Sequence, residues 1–321
     1  MKHLRSLLDL TNVELQTIIS WSRSLKAKLK AGQRPDLLKN RTCALIFEKA
    51  SLRTRVSFEA GMAQLGGTAI YLTNDAGWRE RESIADFVRV LGEYCDFVVC
   101  RAISQATVDE LALHDVIPVI NGLTDQSHPC QAIGDVLTML EDSHGNLQGK
   151  TLTFVGDGNN VVKSLIKASH IAGMRFRLAC PQKYQITETY LASLHDRYGK
   201  IDFAQSENLR EMVAEADYVY TDVWTSMGQE SENESRKAAF APYQVNSKLL
   251  SIAPKHCKVL HCLPARRGLE ITDDVLDSEQ SIVFQQAGNR LHAQKGLLVW
   301  LAVANGYLTR EDAGLDASSP A

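Results

Sequence analysis

The residues able to do chemistry gather in five short stretches, each following a run of β-branched and apolar residues. Ser51-Leu52-Arg53-Thr54-Arg55 sets two hydroxyls and two guanidiniums where a helix pattern begins. Free N–H groups at a helix start and planar guanidinium donors suit a phosphate. The plainer alternative is that Ser51 and Thr54 cap the helix and the arginines are solvated. Arg101 closes the run Phe97 to Cys100 and matters only if an anion site lies beside it; otherwise it is a surface residue. In Ser127-His128-Pro129-Cys130-Gln131 the proline favours the first helical turn, so His128 falls at the cap. The positive helix end disfavours imidazolium there, and a neutral ring could donate to a developing oxyanion; the alternative is a simple capping histidine.

Gly156-Asp157-Gly158-Asn159-Asn160 follows a strand pattern and opens a helix. A dinucleotide fingerprint wants a third glycine at 161 and an acid after the next strand, whereas the sequence has Val161 and Cys180-Pro181-Gln182. The two adjacent amides suit hydrogen bonding to a small polar molecule instead. Asp222 stands at a strand end before Ser226-Met227-Gly228, where it could accept from a ligand ammonium while the glycine-hinged loop closes. In His261-Cys262-Leu263-Pro264 the cysteine reads as a nucleophile, as a zinc ligand with His256, or as a structural thiol, and local sequence favours the last.

These stretches need a scaffold. A chain of 321 residues suggests two domains at about 150 residues each. Lys and Arg total 35 against 38 Asp and Glu, and the absence of a basic block removes the electrostatic footprint of a nucleic-acid binder. The longest apolar runs fall short of the roughly 20 residues of a bilayer span. Seven scattered cysteines without a CxxC pair read as reduced thiols, hence a cytoplasmic location.

Short apolar runs at Thr42 to Phe47, Thr68 to Leu72, Phe97 to Cys100 and Ile117 to Ile120 alternate with helical stripes such as Ile84/Phe87/Val88/Leu91. The alternation restarts with Thr151 to Val155, Phe176 to Ala179, Ile201 to Ala204, Tyr218 to Val223, Val259 to Leu263 and Ser281 to Phe284. This predicts an α/β protein of two doubly wound domains, each with a central parallel sheet. The domains are expected over residues 1–140 and 141–290, joined by a helix bearing Ile133, Val136, Leu137 and Leu140. A last helix, roughly Leu291 to Ala304, leads into a polar tail.

Taken in order, Ser51-Leu52-Arg53-Thr54-Arg55, His128-Pro129-Cys130-Gln131 and His261-Cys262-Leu263-Pro264 resemble the motifs of the aspartate/ornithine carbamoyltransferases. Asn159-Asn160 and Asp222 to Gly228 resemble the ornithine branch, which makes residues 160 and 222 to 228 the seat of substrate choice. The resemblance spans nearly the whole chain, and it implies that the C-terminal helix, residues 291–321, packs back on the first domain. It implies transfer of a carbamoyl group from carbamoyl phosphate to the side-chain amine of ornithine, giving citrulline and phosphate in a step toward arginine. It also implies no cofactor or metal, no nucleic-acid or membrane partner, and a homotrimer or multiple of trimers with shared sites.

By the same resemblance Ser51, Leu52 (through its backbone), Arg53, Thr54, Arg101, His128, Gln131, Cys262, Leu263 and Arg290 meet carbamoyl phosphate. Asn160, Asp222, Ser226 and Met227 meet ornithine, and Arg101, His128, Cys262 and Arg290 form the catalytic set. Three departures stand out. Leu52 replaces a commoner threonine, Gly77 to Glu82 is bulkier than the usual loop that a neighbouring subunit lends to the site, and Gly288 replaces an acid. Putrescine or an N-acylornithine is the competing acceptor, and a nicotinamide-dependent dehydrogenase the competing class.

Overall fold

The computed structural model describes residues 1–73, 81–225 and 230–315. The chain divides into two compact units, Met1–Leu137 with Gly288–Ala321, and Thr138–Ala287.

In the first unit α1 (Asn12–Lys30) precedes β1 (Thr42–Phe47), α2 (Leu52–Gln64), β2 (Thr68–Leu72), α3 (Ile84–Tyr94), β3 (Phe97–Arg101), α4 (Gln105–Leu113), β4 (Val119–Leu123) and the start of α5 (Pro129–Asp142). The strands pair in parallel in the order β2-β1-β3-β4. Sheets covered on both faces need nearly continuous apolar strands, and β1 and β3 are buried over almost their whole length. The predicted stripe Ile84/Phe87/Val88/Leu91 is the buried face of α3, packed on Ala44, Ile46, Val98 and Cys100 of the sheet and on Val108 and Leu111 of α4. Each such side chain, fully buried, stabilises by about 1.5–3 kcal/mol. Edge strand β2 is only half-buried.

The second unit runs through β5 (Thr151–Val155), α6 (Asn160–Ile171), β6 (Arg175–Ala179), α7 (Glu188–Tyr198), β7 (Phe203–Ser206), α8 (Leu209–Val213), β8 (Tyr218–Thr221), α9 (Asn233–Phe240), α10 (Ser247–Leu250), β9 (Lys258–His261) and α11 (Asp273–Leu276). Its five strands are parallel in the order β7-β6-β5-β8-β9. The chain rejoins the first unit along α12 (Val283–Ala304) and ends its described part after α13 (Arg310–Ala313).

Two expectations need correction. Ser281 to Phe284 is not a strand: Ser281 makes one isolated bridge to Val259, and α12 begins at Val283 with Phe284 exposed. Val259 donates to the Gln280 carbonyl (2.8 Å) and accepts from the Ile282 N–H (3.0 Å), after which helix geometry takes over. The last helix therefore starts eight residues before Leu291. Gly288 does not stop it, since one interior glycine costs a helix only about 1 kcal/mol.

Each sheet has one place where strand order reverses, between β1 and β3 in the first unit and between β5 and β8 in the second. Ligands of open parallel sheets bind beyond the carboxyl ends of strands at such switch points.

Candidate active site

At the first switch point, β1 delivers Ser51 to Thr54 and β3 delivers Arg101. Ser51 is the N-cap of α2, and its Oγ accepts from the Thr54 N–H at 3.4 Å. Thr54 is buried, whereas Leu52 faces outward. Arg55 is spent elsewhere, paired with Glu59 at 2.9 Å and stacked over the Tyr71 ring. Arg290, buried on α12, donates to Gln131 Oε1 at 2.5 Å and to Thr54 Oγ1 at 3.3 Å. Gln131 in turn donates to Asp135 at 2.8 Å, so a chain of polar contacts fixes α2, α5 and α12 around one point.

Three guanidiniums meet there. Burial, followed by repulsion from Arg290 and Arg53, pulls the Arg101 pKa down to about 10. Burial and then the charges of Arg290, Arg101 and Arg53 hold His128 well below its ordinary value of 6.5, so the ring is neutral at physiological pH. His128 sits immediately before α5, and its carbonyl accepts the Gln131 and Ala132 N–H groups at 3.2 Å. Cationic groups crowded in a desolvated place repel one another, and an anion relieves that repulsion. The first unit thus brings together Ser51, Arg53, Thr54 and Arg101 from the exits of its strands, His128 and Gln131 from the start of α5, and Arg290 from within α12.

At the second switch point Asp222 follows β8 and is almost fully buried. Its carboxylate accepts from the Asn159 amide (3.0 Å), the Val223 N–H (2.8 Å) and the Cys262 thiol (2.9 Å). Asn159 also caps α6, accepting from the Val161 and Val162 N–H groups, while Asn160 is the first residue of that helix. Cys262 is half-buried beyond β9. Leu263, next to it in the second unit, has φ +55° and donates its N–H to His261 Nδ1 at 2.8 Å. That fixes the His261 tautomer with its proton on Nε2, which donates to buried Glu270 at 3.1 Å. Glu270 also accepts the Arg266 N–H at 2.5 Å, and the His261 N–H goes to Gln286 at 2.9 Å.

The zinc reading with His256 fails: that ring pairs with Asp217 at 3.0 Å. Among the described residues the donor atoms that cluster are those of Asp222, His261 and Cys262, within 4.8 Å of one another. Both ring nitrogens of His261 are already committed, to Leu263 and Glu270, and the Cys262 thiol to Asp222, so the three are engaged in hydrogen bonds rather than arranged as a ligand set. The glycines after β5 also have a local cause. A Cβ on Gly158 would stand 2.6 Å from the Tyr184 carbonyl oxygen, and Gly156 has φ +144°. Close backbone packing explains them without a pyrophosphate. Ser226, Met227 and residues 77–80 of the expected loop lie outside the described residues.

The sequence reading missed three structural supports. Glu270 orients His261; Asp135 holds Gln131; and buried Arg236 on α9 pairs with Asp157 and, at 3.3 Å, with Glu232. Burial pushes the Asp157 carboxyl up to about 6 despite Arg236, with Asp222 and Glu232 adding to the rise. Only the i, i+4 spacing of Glu232 and Arg236 hinted at any of this, and it reads equally as a solvated pair.

Residues 2–141 match the carbamoyl-phosphate-binding domain of the aspartate/ornithine carbamoyltransferases, and residues 148–301 match their aspartate/ornithine-binding domain. The chain belongs to the aspartate/ornithine carbamoyltransferase family. It is 46% identical over 306 residues to the ornithine carbamoyltransferase of Archaeoglobus fulgidus, covering 94% of this chain and 97% of that one. The solved ornithine carbamoyltransferase of Pyrococcus furiosus is 43% identical, with a TM-score of 0.89 over 93% of this chain and 96% of that one. The enzyme from Thermus thermophilus is 36% identical, with a TM-score of 0.84 over 94% and 99%. Arg53, Arg101 and His128 lie in the stretch that matches the family's carbamoyl-phosphate-binding domain, and Arg290 in the stretch that matches its aspartate/ornithine-binding domain. No helix among the described residues is long and apolar enough to cross a membrane.

Proposed function

We propose that this chain carbamoylates L-ornithine at its side-chain amine, forming citrulline and releasing phosphate. The observation that carries the reading is buried His128, which with Arg53 and Arg101 lies in the carbamoyl-phosphate-binding stretch, under the added charge of Arg290 from α12. Arg53 and the N–H groups opening α2 hold the phosphate. Thr54, Arg101, His128 and Arg290 surround the carbamoyl oxygen, with Gln131 aligning Arg290.

The ornithine nitrogen attacks the carbamoyl carbon as the free amine. The carbonyl electron pair moves onto oxygen; the tetrahedral intermediate then collapses, breaking the carbon–oxygen bond to phosphate. A neutral imidazole donor and fixed guanidiniums stabilise that oxyanion without reorganising, and each such donor is worth about 3 kcal/mol. The proton lost from nitrogen passes to the departing phosphate. A side-chain amine has a pKa of about 10.4, so only about one molecule in a thousand is reactive near pH 7.4. Asp222 receives the α-ammonium, Asn160, Ser226 and Met227 bind the rest of the amino-acid end, and Cys262, hydrogen-bonded to Asp222, orients the distal amine. Leu263 completes the wall beside Cys262.

Exposed Leu52, Val56 and Ile70, on α2 and edge strand β2, support burial of that face in a homotrimer, which sedimentation equilibrium tests. The activity itself is tested by colorimetric citrulline formation with ornithine, putrescine, lysine and N-acetylornithine. Ornithine is expected to be the preferred acceptor. Preference for putrescine or the acylated amine would overturn the role given to Asp222.

A further inference from the structure

Arg236 is 2% exposed, yet a guanidinium is among the groups least often buried without purpose. Its three nitrogens go to three different segments. Nε donates to the Trp224 carbonyl at 2.7 Å, one terminal nitrogen to the Asp157 carboxylate and the other to Glu232 at 3.3 Å. The flat face of the group lies 4.7 Å from the Tyr184 ring centre and 5.6 Å from that of Phe240. Tyr184 in turn receives the Gly158 N–H at 3.0 Å.

The partners are informative by their place in the chain. Trp224 lies two residues beyond Asp222 on the exit from β8, and Asp157 two residues before Asn159 on the exit from β5. Asn159 and Asp222 are themselves hydrogen-bonded across that switch point. One planar cation therefore ties together the two backbone exits whose side chains form the amino-acid end of the site. A lysine would keep the charge, but its compact ammonium lacks the planar fork that spans all three acceptors.

We propose that Arg236 is a positioning residue for the amino-acid substrate, clamping the exits of β5 and β8 so that Asn159 and Asp222 stay in register. The proposal rests on ornithine binding at Asp222.

The test compares the unaltered protein with Arg236→Lys and Arg236→Ala. Both variants should raise KM for ornithine by about tenfold to a hundredfold, the scale of a small misplacement, while kcat at saturating ornithine changes by less than about threefold. Inorganic phosphate binding, followed by calorimetry, should stay within about twofold, because its residues lie in the other unit. Added methylguanidinium should lower the raised KM of Arg236→Ala and leave Arg236→Lys unaffected. Unchanged KM for ornithine, or a loss of phosphate affinity matching the loss for ornithine, would overturn the assignment. If Arg236→Ala does not fold, the KM-against-kcat split of Arg236→Lys decides alone. Absence of citrulline from the unaltered protein would instead sink the substrate reading.

Discussion

Arg290 offers the sharpest separation between holding the fold and driving the reaction. Arg290→Met keeps an unbranched apolar stem on α12 and removes the guanidinium that bridges Gln131 and Thr54. Hydrogen bonds from a charged donor are worth about 1.5–3 kcal/mol each, and these two would be lost. Part of that returns. Gln131 keeps its bond to Asp135, and Arg101 and His128 are each relieved of the charge that, after burial, depresses them most. The melting temperature should therefore fall by only a few degrees, at roughly 2–4 °C per kcal/mol for a domain of this size. Catalysis has no such compensation: loss of a donor aimed at a developing oxyanion costs about 3–4 kcal/mol, or 100- to 1,000-fold in kcat. Citrulline formation at saturating substrates and thermal melting by circular dichroism measure the two quantities on one preparation. A kcat within threefold of the unaltered protein, with melting intact, would refute the placement of Arg290 at the carbamoyl oxygen.

Further outcomes follow from the same geometry. Gly134→Ala would put a methyl 3.1 Å from Arg290 Cδ, so the arginine must yield by a few tenths of an ångström; kcat should fall about tenfold without loss of melting temperature, since alanine favours the helix. Glu270→Ala removes the acceptor that orients His261 and should raise KM for ornithine about tenfold through the Cys262 turn, with Glu270→Gln largely restoring it because an amide oxygen can accept the same proton. In a pH profile, kcat/KM for ornithine should rise by up to about tenfold per unit just above neutrality as free side-chain amine accumulates, then level off as the α-ammonium that Asp222 receives loses its proton. It should show no inflection at 6.5, because His128 is already neutral there. An inflection near 6.5 that disappears in His128→Ala would show that the ring titrates, contrary to its burial.

The parallel strands were legible because sheets covered on both faces demand continuous apolar runs, and β1, β3 and β5 carry them. Ser281 to Phe284 has the same local composition, and only long-range pairing distinguishes a single bridge from a strand. Among site residues, the hydroxyls and arginines after β1 and the histidine before Pro129 stood at recognisable boundaries, where cap chemistry and ligand chemistry use the same groups. Arg290 came through the family resemblance alone, and its mid-helix setting became visible when α12 proved to start at Val283. Glu270, Asp135 and Arg236 were illegible for one reason: a charged residue in a polar segment reads as solvated until the fold supplies a burying neighbour.

The two strand-order reversals have a consequence for how such an enzyme could change. Under the proposed reaction, most groups given to the electrophile stand at the switch point of the first sheet and those given to the nucleophile's amino-acid end at the switch point of the second, each with its own hydrogen-bonded bracing. Mutations around the exits of β5 and β8 would therefore explore new amines with the least disturbance of the acyl-phosphate chemistry, which makes acceptor diversification an evolutionarily cheap step and that switch point the place to begin a redesign.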